Sequence, residues 1–162
     1  MDKIIDNIEI YNAEFYYPNF SGREERFNNA GNRYFNVFID DPALATQLSE
    51  DGWNIKIKTP KDEDDQVRHY LRVAISYNHW KYKPHVYLIS NGVKTELDEE
   101  DLDCLDTADI AKADLSIRPR IWDDAGTPRV KAFLNELYVT VRMSRLAAMY
   151  AEQEAPEEMP WD

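Results

Sequence analysis

At 162 residues, with 43% hydrophobic and 12% aromatic side chains, the chain can bury one sizeable core, and a second full domain would be crowded. A formal charge of -12, a single cysteine (Cys104) and the lack of any long apolar run exclude an intrachain disulfide, a zinc ribbon and a helical membrane span. The opening Met1-Asp2-Lys3-Ile4-Ile5-Asp6 has no basic stretch followed by an apolar one, so a soluble, cytosolic protein is expected.

Between Ile8 and Tyr17 the apolar residues start on even positions (Ile8, Ile10) and then move to odd ones (Ala13, Phe15, Tyr17). Such a phase change predicts a bulge or sharp coil inside a long first strand. Residues 18–32 read as a polar loop with Gly22 and Gly31, carrying Phe20, Arg23, Arg26 and Phe27. Residues 33–40 then alternate, Phe35, Val37 and Ile39 on one face and Tyr34, Asn36 and Phe38 on the other, which predicts a second strand. Pro42 behind Asp41 opens a short helix through Leu48 that Gly52 ends. Trp53, Ile55 and Ile57 next alternate with Asn54, Lys56 and Lys58, a third strand with a cationic outer face. Beyond an acidic loop, residues 70–77 set Leu71, Val73, Ile75 and Tyr77 against Tyr70, Arg72, Ala74 and Ser76. After Asn78-His79-Trp80-Lys81-Tyr82-Lys83-Pro84, a strand over 85–90 turns at Asn91-Gly92 into 93–97. Residues 98–110 form the predicted interior helix, with Asp98 as cap and Glu99, Glu100 and Asp101 at its positive end. Two long strands, 113–122 and 130–143, close the pattern, and Pro119 marks an edge or a bulge in the first.

The order is therefore strand, basic loop, strand, strand with an extra hairpin, helix, strand, strand. That is the order of a mainly β, five-stranded Greek-key OB-fold barrel with one helix between strands three and four. An antiparallel sandwich with a surface helix is the alternative. Residues 1–145 read as one OB domain for single-stranded nucleic acid, and residues 146–162 as a flexible acidic tail with five acids and no lysine or arginine.

Charge is unevenly placed. Residues 62–65, 96–109 and the tail hold 17 of the 31 acidic residues, so elsewhere 14 acids face all 19 lysines and arginines, about +5. Because the Debye length is about 8 Å, separated patches act nearly independently and a net-acidic chain can still carry a cationic face. An OB barrel binds single strands with such a face plus rings that stack on unpaired bases. The first loop offers Phe20, Arg23, Arg26 and Phe27, and the outward strand positions offer Tyr34, Phe38, Lys56, Lys58, Tyr70 and Arg72. Trp80, Lys81, Tyr82 and Lys83 interleave rings with ammonium groups, and period two puts Ser116, Arg118, Arg120 and Trp122 on one face. The competing reading for several of these rings is packing beneath a loop, and for Lys56 and Lys58 protection of a strand edge.

An enzyme is not expected. The acids of 98–109 lie along one exposed helix instead of converging from several elements, and no phosphate-binding glycine loop, nucleophile elbow or recommended Cys/His pair is present. His69, His79 and His85 lack metal-motif spacing and read as ordinary surface or strand histidines.

The pattern resembles bacteriophage single-stranded-DNA-binding proteins. The resemblance spans residues 5–143 and is carried by Asn19-Phe20-Ser21-Gly22, Asp40-Asp41-Pro42, Asp51-Gly52-Trp53-Asn54, Ile117-Arg118-Pro119 and Val130-Lys131-Ala132. It implies coating of unwound DNA in phage replication and recombination, without a cofactor, in the cytoplasm of the infected host, as a monomer or homodimer. It also implies a tail that recruits polymerase or helicase and that lies in the DNA groove when DNA is absent. Glu157, Glu158, Trp161 and Asp162 match that tail, with the departure that the chain ends on Asp162, so the aromatic contact falls to Trp161. Two other classes compete: an acidic protein that mimics DNA and sequesters a host DNA-binding protein, and a phage structural or assembly protein. The Arg118, Arg120 and Trp122 face argues against the mimic.

Overall fold

The phase change near the N-terminus divides one segment between two neighbours. In the computed structural model, which describes residues 5–60 and 66–142, β1 (Ile8–Ile10) and β2 (Phe15–Asn19) are separate strands. Between them Asn12 takes a φ of 52°, and Ala13 N–H donates to the Ala113 carbonyl at 2.7 Å. β1 pairs antiparallel with β8 (Ile110–Asp124), while β2 pairs antiparallel with β3 (Arg33–Phe38).

β3 lies along β5 (Arg68–Ile75) for its full length, and β5 divides its other edge. β4 (Ile55–Lys58) takes the first half, and β9 (Thr127–Val141) takes Val73 and Ala74 in parallel. β9 pairs with β8 and, further along, in parallel with β6 (His85–Ser90), which forms a hairpin with β7 (Val93–Leu97). The path β1-β8-β9-β5-β3-β2 thus begins and ends on the same N-terminal segment. This is the connectivity of the five-stranded OB barrel, with β6–β7 as the added hairpin.

Alternation places Phe35, Val37, Leu71, Val73, Ala113, Leu115, Ile117, Ala132 and Leu134 inward, plugged by Phe20, Trp53, Val86, Leu102 and Leu105. Each buried Val, Leu, Ile or Phe among them contributes about 1.5–3 kcal/mol relative to exposure. In β9 the inward set changes phase between Leu134 and Leu137. A bulge explains it: Ser116 pairs with Glu136 and Ile117 with Leu134, leaving Asn135 as the extra residue, whose Nδ2 donates to Ser116 Oγ at 2.9 Å. Pro119 sits where β8 has passed β1 and has β9 on one side only, the edge position its missing N–H favours.

The helix α1 (Pro42–Asp51) starts and stops where its punctuation dictates. Asp41 Oδ1 accepts from Ala43 N–H at 3.0 Å, and Gly52, at φ 104°, ends the helix with its N–H to the Ser49 carbonyl. The third strand begins later than expected, at Ile55. Trp53 precedes it, buried, with a parallel bridge to Val130, and Ile57 is 61% exposed instead of facing inward. The predicted helix over 98–110 is a shorter 3-10 helix, Glu99–Asp106, that buries only Leu102 and Leu105. Their spacing of three fits a three-residue turn, and eight residues with five acids offer no wider apolar stripe for an α-helix. The last two strands run further into their turn than expected, leaving Ala125 and Gly126 as the hairpin tip.

Candidate nucleic-acid interface

The outward residues of the barrel strands form continuous rows. Register aligns Tyr34, Ala74, Phe133 and Arg118 across β3, β5, β9 and β8, and beside them Phe38, Tyr70 and Lys56 across β3, β5 and β4. The β8–β9 hairpin adds Arg120 opposite Lys131 and Trp122 opposite Arg129. Between these walls and the first loop lies a groove of about 690 Å³ in which Tyr34, Lys56, Arg72, Arg120 and Trp122 meet. Five residues expected from the sequence, taken from four strands, therefore share one concave surface.

Cations rest on the rings. The Arg72 guanidinium lies 3.7 Å from the Tyr34 centroid, and Tyr34 donates its hydroxyl to Glu25 Oε1 at 2.7 Å. Burial first and then the Glu25 hydrogen bond push the Tyr34 phenol above its ordinary pKa, so it remains a donor through neutral pH. Beside the groove Phe38, Tyr70 and Tyr16 form a second cluster, with Arg68 3.5 Å over Phe38 and Lys58 5.3 Å over Tyr16. Arg68 is also held by Glu14 and Asp40. At the other end Arg118 lies 4.8 Å from the Tyr82 ring and 5.2 Å from Phe133, and burial lowers its pKa. Such contacts contribute about 0.5–2 kcal/mol each, depending on solvation.

The first loop, residues 20–32, is pinched at its base. Gly31 N–H donates to the Gly22 carbonyl at 2.8 Å, and a Cβ on Gly22 would meet the Gly31 backbone at 3.1 Å. Phe20, expected to contact nucleic acid, is instead core: it has no exposed surface and packs against Phe15 and Phe35. The cause is Asp106, whose carboxylate accepts from the Phe20 and Ser21 N–H groups and pairs with Arg23 at 2.8 Å, turning the ring inward. Arg23 is therefore tethered, though half-exposed. Arg26 lies 5.2 Å over Phe27, which is 86% exposed at the loop tip.

In residues 78–84, His79 Nδ1 accepts from the N–H groups of Lys81 and Tyr82, both at 3.0 Å, and stacks on Trp80. Trp80 is 83% exposed, Lys81 lies 5.3 Å from the Tyr82 ring, and Lys83 Nζ donates to the Tyr77 carbonyl at 2.9 Å. Sequence reasoning missed Phe133 and Lys131, which sit in the groove, and Tyr16 and Tyr17 beside it. Tyr17 is 72% exposed at a φ of 46°, a strained position for a bulky residue, and so leaves the face that its period shares with Ala13 and Phe15. Among the described residues no group of His, Cys, Asp and Glu is placed to hold a metal ion. Glu157, Glu158, Trp161 and Asp162, with the rest of the proposed tail, lie outside the described residues.

Compared with known protein families, residues 1–159 match the phage ssDNA-binding domain. The chain belongs to that family. Solved structures of a phage ssDNA-binding protein share its fold. That from bacteriophage Enc34 in complex with ssDNA has a TM-score of 0.56 at 12% identity, covering 86% of this chain and 88% of that one. A second structure of the Enc34 protein gives 0.54, with 86% and 83% covered, and its C-terminal truncation gives 0.52, with 86% and 88% covered, both at 12% identity. No curated protein matches the chain. In this member of the family the ring-and-cation groove lies on the outward faces of β3, β4, β5, β8 and β9.

Proposed function

We propose that the chain binds single-stranded DNA along this groove, tolerant of sequence and without catalysis or cofactor. The observation that carries the reading is the convergence of Tyr34, Lys56, Arg72, Arg120 and Trp122 from four strands onto one concave surface. Stacking is sequence-tolerant because every base has a π-face, and the cations neutralise phosphates without reading bases. The ssDNA named in the Enc34 complex supports carrying the same ligand to a chain of the same fold and family. In this reading the protein coats unwound DNA during phage replication and recombination in the infected host's cytoplasm, as monomer or homodimer. Its acidic tail recruits polymerase or helicase and competes for the groove.

Titrating fluorescently labelled dT oligomers of rising length tests the reading. Affinity should rise until the strand spans about 4 to 16 nucleotides, and Trp122→Ala should weaken binding by about 1–3 kcal/mol if that ring stacks on a base. Equal affinity for duplex and single strand would sink the proposal. A chain shortened to end at Arg145 should keep or gain affinity, and a loss would refute the tail as a competitor.

A further inference from the structure

Glu25 stands where the electrostatics of a phosphate path oppose it. Its Oε1 accepts from Tyr34 Oη at 2.7 Å and from Asn19 Nδ2 at 2.8 Å. Asn19 is fully buried and also bonds the N–H and carbonyl of Arg23, so the carboxylate is anchored to the loop base. Glu25 and Asn28 exchange backbone hydrogen bonds at 2.9 and 3.1 Å. Asn28 Oδ1 receives Arg72 Nη2 at 3.5 Å, and that guanidinium covers one face of Tyr34. The Tyr34 ring is thus fixed at its hydroxyl end by Glu25 and on one face by Arg72.

We propose that Glu25 is a positioning residue for base stacking: its carboxylate holds the Tyr34 phenol so that ring and Arg72 stand in the groove as a preformed station for an unpaired base. The inference rests on the ssDNA-binding reading. Fixing a side chain before the ligand arrives removes its ordering cost from binding, which amounts to about two- to tenfold in affinity.

Charge and position predict opposite signs, so the test is decisive. Binding of a labelled dT oligomer is measured for Glu25→Ala, Glu25→Gln, Tyr34→Phe and the double variant Glu25→Ala/Tyr34→Phe. If Glu25 only adds negative charge beside phosphates, Glu25→Ala and Glu25→Gln both bind more tightly than wild type. If it positions Tyr34, Glu25→Ala and Tyr34→Phe each weaken binding by about two- to tenfold. Glu25→Gln, whose amide oxygen still accepts the phenol proton, stays at or above wild-type affinity. The double variant then binds no more weakly than the poorer single, because both changes remove one hydrogen bond. Urea unfolding of each variant separates a loosened barrel from a freed ring. Glu25→Ala binding as tightly as wild type, or losses that add in the double variant, overturns the inference. Wild-type protein that ignores the oligomer overturns the parent reading instead.

Discussion

Phe20 and Phe27 stand seven positions apart in one polar loop and have opposite surroundings. The first has no exposed surface and packs edge-on to Phe15; the second is 86% exposed under Arg26. Phe20→Ala should therefore cost about 3–5 kcal/mol in urea unfolding, the usual range for emptying a buried phenylalanine site. Phe27→Ala should stay within about 0.5 kcal/mol of wild type. Comparable losses from both would mean the loop packs differently. Composition could not separate the two rings, because a loop lacks the period-two pattern that sorts strand residues into faces. The deciding partner is Asp106, 86 positions away from Phe20, and no local pattern announces it. Glu25 was hidden for a related reason: an acid in a polar loop of balanced charge reads as a solvated charge until its hydrogen bonds are known.

Elements were more legible than single contacts, because each is set by local chemistry that the chain displays. Asp41-Pro42 and Gly52 bound α1 as the capping chemistry requires, and the alternation of 33–40 survives in β3. The barrel face of Tyr34, Arg72, Arg118, Arg120 and Trp122 follows from the same period of two. The misreadings lie elsewhere: Ile57 is exposed although it shares the period of Ile55, and the 3-10 helix turns every three residues where a longer α-helix was expected. Gly52 joins two elements: at φ 104° it terminates α1, and a Cβ there would come within 3.1 Å of the Pro128 carbonyl oxygen near the tip of the β8–β9 hairpin. Gly52→Ala should destabilise the protein by about 1 kcal/mol or more, from the left-handed backbone alone. Thermal melts would show it as a lowered midpoint, and an unchanged midpoint would mean that this cap does not hold the hairpin.

For the whole molecule the question is how a chain at -12 engages a polyanion. The answer lies in separation and local pairing: potentials decay over about 8 Å at physiological salt, and of the acids at the groove Glu99 is paired with Arg33 at 3.4 Å and Glu25 is tied to the Tyr34 hydroxyl. Glu96, for instance, aligns through Tyr87 and Tyr138 with Asp114, six residues and so about 20 Å along β8 from Arg120 in the groove. Affinity for a single strand should then follow the local face and ignore the net charge. If about five side chains neutralise phosphates, log affinity should fall against log salt with a slope of about -3.5. Lys56→Gln with Arg120→Gln removes two of these and should flatten the slope by about 1.4. Glu96→Gln changes the net charge by one unit yet should leave both slope and affinity at 0.15 M salt unchanged. Equal responses to the groove and the distant substitutions would show that total charge governs binding, and the separated-patch account of this acidic chain would fail.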